Sequence, residues 1–319
     1  MYHMELDVKD KKILYELDKN ARISFSEIAK KIRLSKNSVI NRIKSLEEEN
    51  IILGYNSLIN INQLGYATYD VYLKFQDTTP EKEKEIIDSV LKHKDIWFVG
   101  RVEGTINLAL LISTKTPEEF YDIWDRIYQK IKKHVKVYRI AILLEYHHFT
   151  REYLLDRDSS TRSIALIGKK KYIEIDEIDN KILKLLAHNA RISLLDLAEK
   201  TKMTPKSVRD RIKRLEDKKI VLGYKINLNF QKLGFDYYKL MVSLNDLGIR
   251  EKLYDWIRAN PNVVYFDKFI NGADFEFDVE IDSFEKFVSL LENMKRDFKG
   301  AIKEIQWFKP TLIYKSSYF

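Results

Sequence analysis

The sequence predicts an α+β protein in which one unit is written twice, and two observations predict it. Residues 7–24 and 176–193 are identical at 11 of 18 positions, and the pentapeptide NARIS occurs in both stretches. Residues 36–55 and 205–224 are identical at 11 of 20 positions, at the same offset of 169. About one identity per stretch is expected by chance. The period is too long for a solenoid, so each copy is expected to be a complete pair of domains.

The composition is that of a globular protein with a basic balance. The 319 residues are 45% hydrophobic and 33% charged, with a formal net charge of +8, which suits a polyanionic partner. There is no cysteine, which excludes disulfides and cysteine nucleophiles. The start of the chain, MYHMELDVKDKK, is charged and lacks the apolar core of a signal peptide. These features predict a cytoplasmic protein with no membrane contact.

The first part of each copy is predicted to form three short helices and a strand pair. The third helix begins at a hydroxyl cap, Ser35 in copy one and Thr204 in copy two, where Pro205 adds a helix-start signal. A β-like run, IILGY or IVLGY, follows each third helix. Three helices followed by strands are typical of a winged helix-turn-helix, predicted here for residues 1–60 and 173–230. Asn20 is a candidate left-handed cap of the first helix.

The third helices carry the candidate DNA-binding residues, because their outer faces are polar and cationic and a helix fits the major groove. These candidates are Ser35, Lys36, Asn37, Ser38, Asn41, Arg42 and Lys44 in copy one, and Thr204, Lys206, Ser207, Arg209, Arg211, Lys213 and Arg214 in copy two. A solvated charged face is the alternative. Two further candidates, Arg22 and Arg191, lie in the NARIS corners, where they either touch phosphate or brace the scaffold.

The two modules differ in charge. Residues 201–219 carry eight Lys/Arg and three Asp/Glu, whereas residues 32–50 carry four and three. The second module is therefore predicted to supply more of the salt-dependent affinity. A comparison of Arg42→Ala with Arg211→Ala tests this, since a larger loss of salt dependence is expected at Arg211.

The second part of each copy is predicted to be a ferredoxin-like βαββαβ sandwich, over residues 61–155 and 231–319. Such a sheet has one face without helices, which is expected to carry Tyr72, Leu108 and Leu110. These apolar side chains should be buried against another surface. Pairing of the two sheets would provide it, either within the chain as a pseudo-dimer or between chains as a homo-oligomer. Residues 156–172 are predicted to be a linker whose apolar segment, IALIG, docks on a domain.

The chain resembles the Lrp/AsnC, or feast/famine, family of transcriptional regulators over nearly its whole length, twice. The stretch LDVKDKKILYELDKNARISFSEIAKKIRLSKNSVINRIKSLEEENIILGY and its echo IDEIDNKILKLLAHNARISLLDLAEKTKMTPKSVRDRIKRLEDKKIVLGY carry the resemblance. It implies sequence-specific binding of double-stranded DNA through the helix-turn-helix modules and dimerisation through the sandwiches. Family members usually have one unit per chain. A fused pair implies an asymmetric operator with half-sites about one helical turn (~34 Å) apart.

The resemblance also implies an amino-acid effector near the sandwich hairpins, and no other cofactor or metal. The candidate effector-binding residues are Gly104, Asn107, Gly272 and Asp274. The family pattern of glycine followed three residues later by aspartate is imperfect here, since Asp274 stands one residue early after Gly272. A tight hairpin alone would explain both glycines. Asn50 and Lys219 stand where the family places glycine, which predicts that the second module's third helix ends differently.

Two other functions share this architecture. One is a sirohaem-decarboxylase-like enzyme, which would need histidine and arginine side chains around a cavity. The only histidine cluster is His147 and His148, and neighbours on a strand point to opposite faces. The sequence has no glycine-rich phosphate loop, HExxH motif or serine elbow, and no catalytic residue is assigned. The other function is a chromatin protein that coats DNA without sequence preference, against which the base-capable side chains argue.

Overall fold

The computed structural model describes residues 6–155, 162, 164–168 and 172–316, which form two similar copies. The elements of the first copy are α1 (Val8–Lys19), α2 (Phe25–Ile32), α3 (Lys36–Glu48), β1 (Ile52–Ile59), β2 (Ala67–Phe75), α4 (Pro80–Leu91), β3 (Ile96–Gly104), β4 (Leu108–Thr114), α5 (Pro117–Ile131) and β5 (Val135–Phe149). A short strand, β6 (Ile164–Ile167), follows. The elements of the second copy are α6 (Glu177–His188), α7 (Leu194–Thr201), α8 (Pro205–Asp217), β7 (Val221–Leu228), β8 (Asp236–Leu244), α9 (Arg250–Ala259), β9 (Val263–Ile270), β10 (Phe275–Ile281), α10 (Phe284–Asp297) and β11 (Ile302–Ser316). The predicted α+β fold, with three helices and a βαββαβ unit in each copy, is confirmed.

Side-chain caps start the helices of the helix-turn-helix modules. Ser35 accepts a hydrogen bond from the Ser38 backbone N–H, and Thr204 accepts one from that of Ser207. The predicted left-handed cap at Asn20 is wrong, because its φ is −155° and its side chain instead accepts the Arg22 N–H at 2.9 Å.

The third helices of the two modules end alike, contrary to the prediction from Lys219. Asn50 and Lys219 both adopt left-handed backbone, with φ of 52° and 59°. The next residue then packs inward in both copies, as the full burial of Ile51 and Ile220 shows. Burial of that isoleucine outweighs the modest strain of a left-handed lysine.

The two sandwiches close on each other into one eight-stranded barrel within the chain. Each sheet has the ferredoxin-like strand order, β5-β2-β4-β3 in copy one and β11-β8-β10-β9 in copy two. Antiparallel pairing of β3 with β11 and of β5 with β9 joins them. The pairing is therefore intrachain, and the molecule is a pseudo-dimer. Closure leaves no open sheet face, which resolves the need for cover.

The predicted composition of the open face is partly wrong. Tyr72 does point into the barrel, where it packs with Val102 and Met241. Leu108 and Leu110 lie on the opposite face, in the core under α4 and α5. The pairing explains this, because Tyr72 is opposite Ala109 and neighbouring residues of a strand alternate between faces.

The strand after each third helix pairs with its counterpart in the other copy, not with a second strand of its own module. β1 and β7 form an antiparallel two-stranded sheet, centred where Asn56 is opposite Lys225. These two residues are equivalent at the repeat offset of 169, so a local two-fold axis passes between them. The predicted separate strand pair in each module is thus corrected to one shared sheet.

The apolar segment between the copies docks as expected. β6 pairs antiparallel with the end of β5, with Ala165 opposite His148. Arg162 is buried and donates to the Val263 carbonyl at 2.7 Å. Residues 156–161, 163 and 169–171 of the predicted linker lie outside the described residues. No helix among the described residues has the length and hydropathy to cross a membrane.

Candidate nucleic-acid interface

The outer face of α3 is exposed along its length. Lys36, Asn37, Asn41 and Lys44 are all exposed. The inner face is anchored by Val39, Ile43 and Leu46, which are at most 3% exposed. Ser35 caps the helix and shares a 2.9 Å hydrogen bond with Ser38. The helix therefore presents amide and ammonium groups at its N-terminal half, the part that reaches base edges in groove-binding helices.

The outer face of α8 is exposed in the same way but is more cationic. Lys206, Arg209 and Lys213 are exposed. Thr204 donates to the Ser207 hydroxyl at 3.0 Å, so the start of α8 repeats that of α3. Arg209 lies 3.8 Å from Asp210, a contact between largely exposed side chains that water screens.

Three of the candidate arginines are held by acids of the first helix of their own module. Arg42 donates to Asp7 and Asp10 of copy one at 2.7 and 2.8 Å. In copy two, Arg211 donates to Asp176 and Asp179 at 2.6 and 2.7 Å, and Arg214 donates to Asp179 at 2.6 Å. These arginines tie the recognition helix to the first helix, and each shares its charge with a carboxylate.

Asp7 and Asp176, the two carboxylates that cap the first helices, are held ionised. A backbone N–H of the helix start, from Asp10, and then the Arg42 guanidinium lower the pKa of Asp7. The Asp179 N–H and the Arg211 guanidinium lower the pKa of Asp176 in the same way. Asp7 and Asp176 thus each cap the first helix of their module and pair with an arginine of the third helix. This double role fixes the angle between the two helices.

The NARIS arginines point at the opposite copy. Arg22 donates to the Ala190 carbonyl at 2.7 Å, and Arg191 donates to the Ala21 carbonyl at 2.5 Å. Both are partly buried, and the Arg191 guanidinium lies 4.4 Å from the ring centre of Phe25. The geometry matches the bracing role considered for these residues, and the corner proves to be the seam between the two modules.

The candidate effector residues hold the sandwich hairpins by backbone contacts. The Asn107 side chain accepts the Phe75 N–H at 3.0 Å, and Asp274 accepts the equivalent Leu244 N–H at 2.8 Å. Asn107 and Asp274 are therefore structural equivalents, and the residue equivalent to Gly104 is Asn271 rather than Gly272. Both Gly104 and Asn271 have positive φ, 132° and 61°. The spacing of three residues is thus kept in copy two.

A cavity of about 250 Å³ lies inside the barrel, and the β1–β7 sheet borders it. The sequence patterns did not predict this cavity. The signal was present, since Asp70 and Lys239 interrupt the apolar strands ATYDVYLKF and DYYKLMVSL, yet only barrel closure turns these residues to a common interior. His148 lines the cavity, whereas His147 bonds to Tyr254 outside it, as expected for neighbours on a strand.

A buried ion-pair bridge beside the cavity joins the modules to the barrel. Arg151 contacts Glu280 with two nitrogens, at 2.7 and 2.8 Å, and donates to Asp18 of α1 at 2.7 Å. Desolvation lowers the pKa of the neighbouring His148, which stays neutral. Lys225 of β7 lies 3.9 Å from Asp18. The first helix of the chain and strand β10 of the second copy are thus joined by one charged contact.

These features define a fused pseudo-dimer of two DNA-binding-type helix-turn-helix modules on a ferredoxin-like barrel. Residues 175–216 match the AsnC-type helix-turn-helix domain, and residues 6–52 match a winged helix-turn-helix DNA-binding family. The transcriptional regulator LrpA of Pyrococcus horikoshii is 37% identical over 142 residues, which are 97% of that protein and 44% of this chain. LrpB of Bacillus subtilis is 30% identical over 122 residues, 82% of that protein and 38% of this chain.

The chain belongs to the Lrp/AsnC family of helix-turn-helix transcriptional regulators, in a form about twice the length of these relatives. Among solved structures, the siroheme decarboxylase NirDL covers 97% of this chain and 92% of its own, with a TM-score of 0.66 and 14% identity. At that identity the likeness concerns the fold.

Proposed function

We propose that this protein is a sequence-specific regulator that places α3 and α8 in the major groove of one double-stranded DNA site. The observation that carries the proposal is the pair of exposed polar helix faces, related by the two-fold arrangement of their modules. Asn37 and Asn41 are suited to adenine edges, and Arg209 to guanine. Lys206 and Lys213 are suited to phosphate. The remaining hydroxyl and amine candidates, Ser35, Ser38, Thr204, Ser207, Lys36 and Lys44, lie on the same faces.

The half-sites are expected to differ in sequence. At the repeat offset, Asn37 corresponds to Lys206, and Asn41 corresponds to Asp210, so the two helices cannot read the same bases. Two helices related by a two-fold axis enter successive major grooves on one side of the duplex. The half-sites must therefore lie about one helical turn (~34 Å) apart, even when their sequences differ. The operator is therefore proposed to be a pair of unlike half-sites at that spacing.

In vitro selection from a random duplex pool, at stated salt, tests this proposal. The expected result is a motif with two unlike half-sites about 10 base pairs apart, centre to centre. Asn37→Ala should relax the preference in one half-site only, and Lys206→Ala should weaken binding to all sequences. Exposed Lys84→Ala on α4 is the matched control. Binding to random DNA within about tenfold of the best selected sequence would indicate a coating protein instead.

The proposal also covers the oligomeric state and the cellular location of the molecule. The closed barrel is a complete pseudo-dimer, so one chain offers both readers and can bind one site alone. Further association into a homo-oligomer remains a prediction, which light scattering at several concentrations checks. A cytoplasmic location fits a DNA-binding role and the cysteine-free sequence.

A sirohaem-decarboxylase-like activity is the second candidate, and the internal cavity with His148 and Arg151 favours it. Two features oppose it. Arg151 is already engaged with Glu280 and Asp18, and three carboxyls, Asp70, Asp267 and Asp278, line the same cavity. Buried carboxylates would repel those of a tetrapyrrole. Addition of sirohaem to the purified protein tests the candidate, since a shifted haem absorbance and carbon dioxide release would support it.

The amino-acid effector is retained as a prediction at the hairpins. Asn107 and Asp274 hold those turns in the described structure. Neither these two residues nor the candidates Gly104 and Gly272 line the internal cavity. Calorimetry with the twenty amino acids checks the prediction. Binding that Asn107→Ala or Asp274→Ala weakens, without a change in the melting temperature of the free protein, would support it.

A further inference from the structure

The barrel interior holds more buried carboxyls than cations. Asp70, Asp267, Glu276 and Asp278 are each at most 6% exposed. Lys239 contacts Asp267 closely and lies 3.4 Å from Asp278 and 3.7 Å from Glu276. Arg139 reaches Glu276 at 3.5 Å. Among the described residues, two cations thus meet four acids, more carboxyls than these cations can neutralise in a low-dielectric interior.

Three of the acids that line the cavity each have a buried oxygen without a hydrogen-bond partner. The atoms are Asp70 Oδ1, Asp267 Oδ1 and Asp278 Oδ1, and all three side chains line the cavity. Asp70 is the most informative, because its other oxygen accepts the Tyr72 hydroxyl at 3.0 Å and no cation contacts it among the described residues. A buried acceptor left unmatched is costly, so each one in a native protein calls for an explanation, and a bound ligand is one such explanation.

Three of the four acids belong to copy two, and the equivalent residues of copy one are not acidic. Asp70 pairs with Leu111 across β2 and β4, whereas its equivalent Lys239 pairs with Asp278 across β8 and β10. By the same register, Ala109 corresponds to Glu276, and Gly100 corresponds to Asp267. Copy one therefore has apolar residues at three interior positions where copy two has acids. A general requirement of the barrel would have acted on both copies, so the acids point to a local task in copy two.

The walls of the cavity are aromatic. Tyr72, Tyr237, Tyr265 and Phe269 line it beside the acids, and the Lys239 ammonium already lies 5.6 Å from the ring centre of Phe269. Carboxylates together with aromatic faces are the two features that recognise an organic ammonium. The volume of about 250 Å³ suits a small molecule.

We propose that the cavity binds a small primary amine with an apolar body, its ammonium group against Asp70 and Asp278 and its body against the aromatic wall. The ligand class excludes amino acids, whose carboxylate would add to the surplus negative charge. Binding here is independent of DNA recognition and lies apart from the hairpin residues considered for an effector. The ammonium supplies the charge that Lys239 and Arg139 leave unmatched.

Calorimetry and thermal melting of the full chain test the proposal. The probes are phenethylamine, cyclohexylamine, butylamine and tryptamine, with 2-phenylethanol and L-phenylalanine as neutral and zwitterionic counterparts of the first. At least one amine is expected to bind with one site per chain, and at least tenfold more tightly than its uncharged counterpart. If none of the four amines binds, or if the alcohol binds as tightly as the amine, the proposal is wrong.

A charge-removing variant locates the site. Asp70→Asn keeps the shape of the side chain and is expected to weaken amine binding by at least tenfold. It is expected to leave the unliganded protein folded, because burial already raises the pKa of the Asp70 carboxyl well above its usual range and the amide is neutral as well. Exposed Asp255→Asn on α9 is the matched control and should leave the affinity unchanged. Equal affinity in Asp70→Asn and the parent protein would place any bound amine elsewhere. Should Asp70→Asn fail to fold, Asp278→Asn provides the same comparison.

Discussion

Arg22 and Arg191 each donate to backbone carbonyls of the other copy. Arg22 contacts Ala190 and Ile192, and Arg191 contacts the equivalent Ala21 and Ile23. Such reciprocity is the signature of a two-fold interface, here folded into one chain. The NARIS repeat therefore occurs twice because each copy donates hydrogen bonds from its arginine and accepts hydrogen bonds at its backbone carbonyls across the same interface. This seam sets the relation between the two recognition helices.

Removal of either arginine should cost stability and leave the salt dependence of DNA binding unchanged. Arg22→Ala and Arg191→Ala are each expected to lower the free energy of unfolding by about 1.5–3 kcal/mol, the range for hydrogen bonds from a charged group. Denaturant unfolding measures this, with exposed Arg126→Ala as the control. The opposite pattern, unchanged stability with a salt slope lower by about one, would make these residues phosphate contacts.

The second module should dominate the electrostatic part of DNA binding. Lys206→Ala with Lys213→Ala is expected to reduce the salt slope of log affinity by about two, because two exposed cations suited to phosphate are lost. Asn37→Ala with Asn41→Ala should change sequence preference and leave the slope unaltered. Binding titrations at four or more salt concentrations provide the comparison. The original comparison of Arg42→Ala with Arg211→Ala is less direct, since both side chains are ion-paired within their modules.

The unliganded protein should lose stability as the pH rises through neutrality. Burial, which is opposed by Lys239, raises the pKa of Asp278 to about 7 from the usual 3.8 of an aspartate. Between these values the folded chain binds more protons than the unfolded chain, so this stabilising contribution is complete below about pH 4 and is lost as pH rises through 7. Asp278→Asn should melt at a higher temperature than the parent at pH 8. Exposed Asp88→Asn should not, and a melting temperature of the parent that rises from pH 5 to pH 8 would contradict this account.

Gly104 should be intolerant of substitution for a structural reason. Its φ is 132°, and an added Cβ would lie 2.8 Å from the Trp307 carbonyl oxygen of β11. Gly104→Ala is expected to cost at least about 2 kcal/mol, because the strain adds to a disturbed β3–β11 junction. Gly223→Ala, where no atom lies within 4 Å of the added Cβ, is the control, with a cost below about 1 kcal/mol. Similar losses in the two variants would argue against the close approach.

Local patterns predicted most of the elements, because caps and periodicity act over a few residues. The apolar run VKVYRIAILLEYHHF, residues 135–149, predicts the last strand of the first βαββαβ unit, and β5 has those bounds. The errors arose where partners distant in sequence decide the outcome. The strand pattern predicts Leu108 and Tyr72 on one face, which is wrong. The helix pattern predicts Arg42 as a DNA contact, but its guanidinium is bound by acids at the start of α1. Neither the register of β2 with β4 nor the packing of α1 on α3 can be read from a short stretch.

The sequence by itself determined the duplication, the helix-turn-helix modules with their caps, and the family. It did so because these depend on repeated residues and on interactions between near neighbours. Tertiary structure alone decided that the two sheets close into one barrel, that the NARIS arginines join the modules, and that Asp70 and Lys239 face a common cavity. Those outcomes depend on contacts between residues more than 100 positions apart. Asp70 and Lys239 hold equivalent positions in the two copies and carry opposite charges, and only closure of the barrel brings them into one interior.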